Sequence, residues 1–416
     1  MLNKIIRKLN TKDGKALLEN FVSLSALQAV GLILPLVVLP YVIRVLGFER
    51  YGIVVLGATL IAYFQSITDY SFRVTATRDV AIFRNSVKKL NIVYSKVIAI
   101  KTIFLIISVI IIVLIVFFYS PFYKEKIIFF LTIPMLLGYA LFPEWFFQGI
   151  ERMKYITFLN VGIRIFFTVC IFIFIKSKDD YWIYPLLQSL GYIGAGVVGQ
   201  YIMMKKYNIR FVRLKWRTIK TTITSNFPIF VNRFVPTLYN NTSTFLLGIF
   251  TGTNLVGVYD AIKKIVDLAI VFFNLFSRVF FPFLNRRKDA FGKYKKMMIL
   301  ISCSVFVVIV LLNKVILKYL NIEWKEGFII LLILAIGMIG IALYDLFGMN
   351  YFIVHRMDKL VMRNAIWASC IGFVLSFPLI YYYGIIGAAI NLSLSRWLMG
   401  GGLYYKYLTI KSKQLV

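Results

Sequence analysis

An all-α integral membrane protein of twelve transmembrane helices, built as two parallel six-helix repeats around a central cavity, is the architecture this sequence predicts. Three observations carry that expectation. Stretches of about 20 apolar residues, enough to take an α-helix through about 30 Å of hydrocarbon, fill the chain from end to end. Lys and Arg gather in alternate connections between those stretches. The second half repeats landmarks of the first at nearly constant spacing. The composition agrees, with 60% hydrophobic and 16% charged residues, against about 45–50% apolar and 25% charged in a soluble domain.

In chain order the spans are read at 20–43, 52–68, 97–119, 127–149, 156–175, 183–204, 227–250, 258–283, 297–313, 328–350, 361–382 and 385–405. Ahead of them the start MLNKIIRKLNTKDGKALLEN is polar and basic; residues 1–8 can form an amphipathic interface helix, and no signal peptide is expected. The first span carries Ser23, Ser25 and Gln28 as its interior polar groups. Arg44 and Glu49 stand at an outward interface, where they can pair with each other or with lipid headgroups. The connection 69–96 sets Phe72, Val80, Phe83, Val87 and Leu90 among basic residues and reads as an amphipathic interfacial helix. Trp145, in the fourth span, reads as an interface anchor. Pro228 and Pro236 are expected to bend the seventh span. Cys170, Cys303 and Cys370 fall inside spans as small packing residues, and His355 has no metal-site pattern around it.

The N-terminal segment and the even-numbered connections hold thirty-two Lys and Arg, and the odd-numbered connections hold nine. Cytoplasmic loops collect basic residues, so both termini and the long basic loops are assigned to the cytoplasm. The net charge of +31 then needs no nucleic acid, because short basic loops beside apolar helices already meet anionic lipid. The longest connection, 69–96, leaves no room for a soluble catalytic domain, which argues against an enzyme.

The repeat is seen by sliding the halves past one another. Asn20-Phe21 answers to Asn226-Phe227, Gly47 and Gly52 to Gly252 and Gly257, Arg152-Met153 and Asn160 to Arg356-Met357 and Asn364, and Ser189-Leu190 to Ser393-Leu394. Six spans per unit is an even number, so both units enter the bilayer in the same orientation. The domains are therefore placed at 1–208 and 209–416. Two such lobes can rock about a cavity, which is the architecture of a transporter.

Seven basic residues fall inside spans: Lys101, Arg164, Arg233, Lys263, Lys264, Arg278 and Arg396. Each charge at the bilayer centre costs about 2.5–3.5 kcal/mol or more, so such groups face a wet cavity or a partner. On the eighth span Asp260, Lys263, Asp267, Asn274 and Arg278 fall within about 60° of one another at helical spacing. On the seventh, Asn226, Arg233, Thr237, Asn240 and Thr244 form one stripe; on the fifth, Thr157, Asn160, Arg164 and Thr168 do. The candidate substrate-binding residues are Arg164, Arg233, Asn240, Lys263, Asn274, Arg278 and Arg396. A cationic cavity suits an anionic cargo, and the arginine fork suits phosphate. Plainer roles stay open: Lys263 with Asp267 and Asp260 with Lys264 stand at i,i+4 spacing and can simply pair, and Lys101 and Arg278 can snorkel to the surface. No phosphate-binding loop of the nucleotide-hydrolysing kind is present, so no cofactor is expected and an ion gradient or the membrane potential is the natural energy source. Asp260, Asp267, Asp345 and Glu144 are the candidates for a coupling proton or cation.

The stretches LPLVVLPYVIRVLGFERYGIVVLGATLIAYFQSITDYSF at 34–72, TRDVAIFRN at 77–85 and PEWFFQGIERMKYITFLN at 143–160, and more loosely NLVGVYDAIKK at 254–264, resemble Wzx-type polysaccharide flippases. That resemblance implies the multidrug/oligosaccharidyl-lipid/polysaccharide exporter fold, with two six-helix bundles forming a V. It implies a cargo too, an undecaprenyl-pyrophosphate-linked sugar repeat unit moved from the inner to the outer leaflet of a bacterial plasma membrane, for O-antigen, lipopolysaccharide or capsule. A polysaccharide polymerase and a chain-length regulator are the implied partners beside membrane lipids. Three rivals stand against this reading: a cation-coupled small-molecule antiporter of the same fold, a membrane polymerase or glycosyltransferase, and a non-transporting scaffold. The first would be expected to hold a buried carboxylate in the first span, which this chain lacks, and short outward loops count against the second.

Overall fold

The computed structural model describes the backbone of residues 12–413, and nearly all of it is helical. The segment expected to be amphipathic over residues 1–8, and the side chains of Ser23, Ser25 and Gln28, lie outside what is described. Helix α1 runs Lys12–Asp69, followed by α2 (Phe72–Phe83), α3 (Val87–Phe118), the short α4 (Ser120–Lys124), α5 (Lys126–Leu141) and α6 (Glu144–Gly149). Then come α7 (Met153–Phe174), a 3-10 turn at Lys178–Trp182, α8 (Ile183–Tyr207), α9 (Trp216–Phe250) and α10 (Thr253–Arg286). The chain closes with α11 (Phe291–Leu311), α12 (Asn313–Tyr319), α13 (Trp324–Leu343), a π-helical stretch at Tyr344–Ile353 and α14 (Asp358–Lys413). Every span read from the sequence falls mainly on helix, but the fourth, 127–149, is interrupted at Phe142 and Pro143.

The breaks have local causes. Helix α1 turns at Gly47 (φ 73°, ψ 167°), α9 and α10 are separated at Gly252 (φ 111°, ψ 168°), and α14 turns at Gly384 (φ 53°). These dihedrals are open to glycine and costly for residues with a Cβ. Pro143, which has no N–H to donate, separates α5 from α6. Helix α8 stops at Asn208 in the left-handed conformation, a common helix terminator. Ser177 and Asp180 cap the 3-10 turn at Lys178–Trp182: the Asp180 carboxylate accepts from the backbone N–H of Lys176 at 2.9 Å and of Ser177 at 2.7 Å. Those hydrogen bonds, Lys176 first, hold its pKa below the ordinary value.

Tertiary contacts divide the chain into two compact units: residues up to 45 with 60–233, and 46–59 with 234–416. In the first unit, α2 lays Phe72, Thr75, Ala76 and Val80 against the short helix α6. Trp145, Phe146 and Phe147 of α6 are buried in a core shared with Tyr94 and Met203. The interfacial reading of 69–96 therefore changes. Its first part is a helix whose apolar face is covered by protein, and from Val87 the chain has already entered α3. Trp145 is a core residue, 2% exposed, not an interface anchor. Lys101 does not snorkel; it is 3% exposed and its ammonium lies 2.9 Å from Asp69. Cys170 is buried as expected, but Cys303 and Cys370 are exposed on their helices.

Lipid is as apolar as leucine, so helices in a membrane associate through close packing of small residues and interhelical hydrogen bonds. Both units are built that way. In the first, a Cβ on Gly138 of α5 would overlap the backbone of Tyr192–Ile193 in α8, and one on Gly196 would stand 3.0 Å from the Gly138 carbonyl. In the second, a Cβ on Gly340 of α13 would meet the backbone of Arg396–Trp397 at 2.7–2.8 Å, and one on Gly400 would overlap the Gly340 carbonyl. Ser189 donates to the Leu131 carbonyl at 2.6 Å, and Ser393 to the Ile333 carbonyl at 2.7 Å. The same crossing thus recurs about 202–204 residues later in the numbering, with the same glycines and the same serine. Within the second unit Gly52 faces the backbone of Thr253, and Gly257 faces that of Phe48, so these two repeat-related glycines make reciprocal contacts.

Eight segments among the described residues are long and apolar enough to cross a membrane. The chain is a multi-pass helical membrane protein.

Candidate functional site

In the first unit the chain reverses after α1 through two left-handed residues, Tyr70 (φ 43°) and Ser71 (φ 63°). The Tyr70 ring stacks between Phe104 and Phe230, and its hydroxyl donates to the Ile223 carbonyl at 3.1 Å. That anchors the first turns of α9 over α2, with Asn226 donating to Thr75 at 3.3 Å. The result is a cavity of about 320 Å³ lined by Arg73, Val74, Thr77, Arg78, Gln148 and Arg233. Arg73 donates to Glu144 at 2.6 Å, and Arg78 reaches its neighbour Asp79 at 3.3 Å. Arg233 has no carboxylate within ion-pair distance among the described residues, and the buried Oε1 of Gln148 has no hydrogen-bond donor. Three guanidinium groups around one cavity can donate parallel hydrogen bonds to a phosphate-type anion.

Of the residues proposed from sequence, only Arg233 lines this cavity, and Glu144 borders it through Arg73. Arg73, Thr77, Arg78 and Gln148 were not singled out. Arg73 and Thr77 stand at i,i+4 spacing, which was the available signal; as charges in a basic connection they read as topology determinants. Arg164 lies elsewhere in this unit, on α7, its guanidinium 2.9 Å from where a Cβ on Gly31 of α1 would stand. No carboxylate pairs with it among the described residues.

The second unit holds two further clusters. Arg396 is 3% exposed and donates to Asp267 at 2.6 Å, while its Nε and Nη1 have no acceptor among the described residues. Lys263 stands 4.0 Å from the same carboxylate and donates to the Asn240 carbonyl at 3.3 Å. The structure thus joins Asn240, Lys263, Asp267 and Arg396, and the partner of Arg396 is a residue that the i,i+4 rule assigns to Lys263. In the other cluster Asp260 is paired with Lys264 at 2.8 Å, as the i,i+4 reading allows. Tyr51, which the sequence did not suggest, bridges them, donating to Asp260 at 2.6 Å and accepting from Lys264 at 2.6 Å.

Asn274 sits apart, its amide donating to its own helix at Ile270. Arg278 is exposed with no carboxylate at ion-pair distance among the described residues. Asp345 is 3% exposed in the π-helical stretch, and its Oδ2 lacks a donor. Beside it Asn350 reaches Ser277, Tyr294 and the Asp345 carbonyl. Such π-helical turns are often found at functional sites. No cluster of His, Cys, Asp and Glu able to hold a metal occurs among the described residues.

The fold and these cationic clusters define a helical multi-pass membrane protein, and the comparisons with known proteins place it further. The fold is similar to that of a solved lipid II flippase MurJ in an inward closed conformation: TM-score 0.73 at 13% identity, over 94% of this chain and 87% of that one. It is also similar to an inward-facing multidrug resistance transporter of the MATE family and MOP superfamily, with TM-score 0.62 at 13% identity over 95% and 99%. Residues 17–288 match the family model described as polysaccharide biosynthesis protein, and the chain belongs to that family. All four segments that carry the resemblance to Wzx-type flippases lie inside that match. Among its curated relatives is a protein of Escherichia coli (strain K12) described as "Putative O-antigen transporter", 27% identical over 387 residues, covering 91% of this chain and 93% of the relative.

Proposed function

We propose that this protein is a lipid-linked oligosaccharide flippase. It moves an undecaprenyl-pyrophosphate-linked repeat unit from the cytoplasmic to the outer leaflet of a bacterial plasma membrane, for O-antigen or a related surface polysaccharide. The observation that carries the reading is the cavity walled by Arg73, Arg78 and Arg233. It lies in a chain of the polysaccharide biosynthesis family, related to an O-antigen transporter and folded like a lipid II flippase. Pyrophosphate is the part of such a cargo that guanidinium groups recognise. A small-cation antiporter would want acidic groups at that place.

Twelve crossings in two six-helix repeats, 1–208 and 209–416, fit the helices. Helices α1 and α14, of 58 and 56 residues, are long enough for two crossings each and turn at Gly47 and Gly384. Helices α8 and α9, of 25 and 35 residues, are long enough to cross but more polar. The recurrence of the Gly138–Gly196 crossing as Gly340–Gly400 supports the repeat, and the distribution of Lys and Arg supports cytoplasmic termini.

The mechanism proposed is alternating access. The repeats expose the cationic residues Arg164, Arg233, Lys263 and Arg278, with the amides of Asn240 and Asn274, first toward one leaflet and then toward the other. Arg396 would bind cargo only after release from Asp267. No covalent chemistry is involved. Asp345 is the group best arranged to take a coupling proton or cation, since Glu144 is held by Arg73, Asp260 by Lys264 and Tyr51, and Asp267 by Arg396. A polymerase and a chain-length regulator are the expected partners. The test is complementation: a strain lacking its own flippase should regain surface polysaccharide with the wild-type chain and not with Arg233→Ala/Arg164→Ala at equal membrane abundance. Full restoration by that variant would overturn the assignment of these residues.

A further inference from the structure

The two arms of α14, on either side of Gly384, carry a second basic cavity apart from the one lined by Arg233. Near their far ends Leu360, Arg363, Asn364 and Trp367 on one arm and Lys406 on the other enclose a cavity of about 250 Å³. That is about eight water molecules' share of liquid volume. Arg363 and Lys406 are exposed, and neither has a carboxylate at ion-pair distance among the described residues. The whole of α14 contains one acidic residue, Asp358. The Asn364 amide donates to the Met399 carbonyl at 2.8 Å, which ties the two arms together, and its oxygen lies against Gly402, where a Cβ would displace it. Trp367 is 64% exposed beside the two cations.

The internal repeat supplies a control. At the matching places 204 residues earlier stand Leu159, Asn160, Ile163 and Ile202. The asparagine is kept, but leucine and isoleucine replace Arg363, Trp367 and Lys406, and there Leu159 is buried and Ile202 packs on the core. The helical frame therefore does not require two cations and a tryptophan at these positions.

We infer that this cleft is a binding site for the phosphate of an acidic phospholipid. Arg363 and Lys406 hold the headgroup, and Trp367 lies along the glycerol and first methylenes. Basic pockets between helices bind acidic headgroups, and tryptophan settles at the boundary between hydrocarbon and headgroup. The proposal uses the sidedness reading only to name the cytoplasmic leaflet as the source, and translocation plays no part in it.

The test is lipid retention by the purified full-length chain. The protein, in neutral detergent with equal amounts of phosphatidylglycerol and phosphatidylcholine, is weighed with its bound lipid by native mass spectrometry. The wild type is expected to prefer phosphatidylglycerol by about 30-fold, consistent with two cationic contacts at a membrane surface. R363Q/K406Q should bring the preference close to parity, and K406Q alone, at an exposed position, should lower it about fivefold. R363K/K406R should keep it, and so should K215Q/R217Q, which removes two exposed charges elsewhere. Equal retention by wild type and R363Q/K406Q, or equal loss in K215Q/R217Q, would overturn the site. Displacement of the lipid by millimolar inorganic phosphate would overturn the lipid assignment. Because the assay needs no transport, a failure here and a failure of the flippase reading are separately visible.

Discussion

Arg396 and Arg233 are both arginines inside spans, yet they are arranged for different work. Arg396 is buried, spends one nitrogen on Asp267 and leaves two without acceptors among the described residues. Removing one member of a buried pair costs about 3–5 kcal/mol, because the other charge is stranded. Asp267→Asn is expected to cost about 3 kcal/mol, toward the low end of that range, since Asp267 is 39% exposed. Thermal unfolding in detergent should show the loss, and the double variant Asp267→Asn/Arg396→Met should recover most of it. Arg233 is exposed and without a carboxylate partner, so Arg233→Ala should leave the unfolding temperature within a few degrees while lowering transport about tenfold or more, the scale of one lost charge-assisted contact. At the 3-10 turn, Asp180 accepts from the amides of Lys176 and Ser177, which lowers its pKa. A depressed carboxylate contributes stability above its unfolded pKa of about 3.9 and loses it as the pH falls through the lower folded value. Hydrogen exchange at those two amides should accelerate only on acidification below that point, and Asp180→Asn should remove the dependence.

Among the helices, what could be read ahead of the structure was whatever length and hydrophobic content determine. The apolar stretches lie mainly on helix, with the fourth interrupted at Phe142 and Pro143, and the paired glycines 47 and 252 both mark breaks with positive φ. Contacts between distant segments could not be read that way. Phe72 and Val80 spaced as on a membrane-surface helix are equally the packing face of a helix against protein, and only the nearby placement of Trp145 and Phe147 decides between the two. Tyr51 could not be assigned to Asp260 and Lys264 from spacing, since more than 200 residues separate them. Gly52 and Gly47 illustrate two separate costs. Gly52→Ala would drive a methyl group into the Thr253 carbonyl and should abolish stable expression. Gly47→Ala meets nothing within 4 Å among the described residues, so its cost is that of the backbone alone, about 1–3 kcal/mol for a residue with a Cβ at φ 73° and ψ 167°, and membrane abundance should fall far less than for Gly52→Ala.

For the molecule as a whole, the charge asymmetry makes a direct statement about topology. Single cysteines replacing Arg213 or Lys411 should react with a membrane-impermeant maleimide only from the cytoplasmic side, and cysteines at Lys178 or Lys318 only from outside. A reversal of either set would remove the orientation on which inner-to-outer transport depends. The central claim is that the arginine-lined cavity recognises the pyrophosphate of a lipid-linked glycan and carries it across. It is tested most directly in proteoliposomes containing the purified protein and a fluorescent polyprenyl-pyrophosphate oligosaccharide, by following the fraction accessible to an impermeant quencher. Wild-type protein should raise the flipping rate well above empty vesicles, and Arg73→Gln/Arg233→Gln should return it to background. Equal flipping by that variant and the wild type, or no flipping by either, would contradict it.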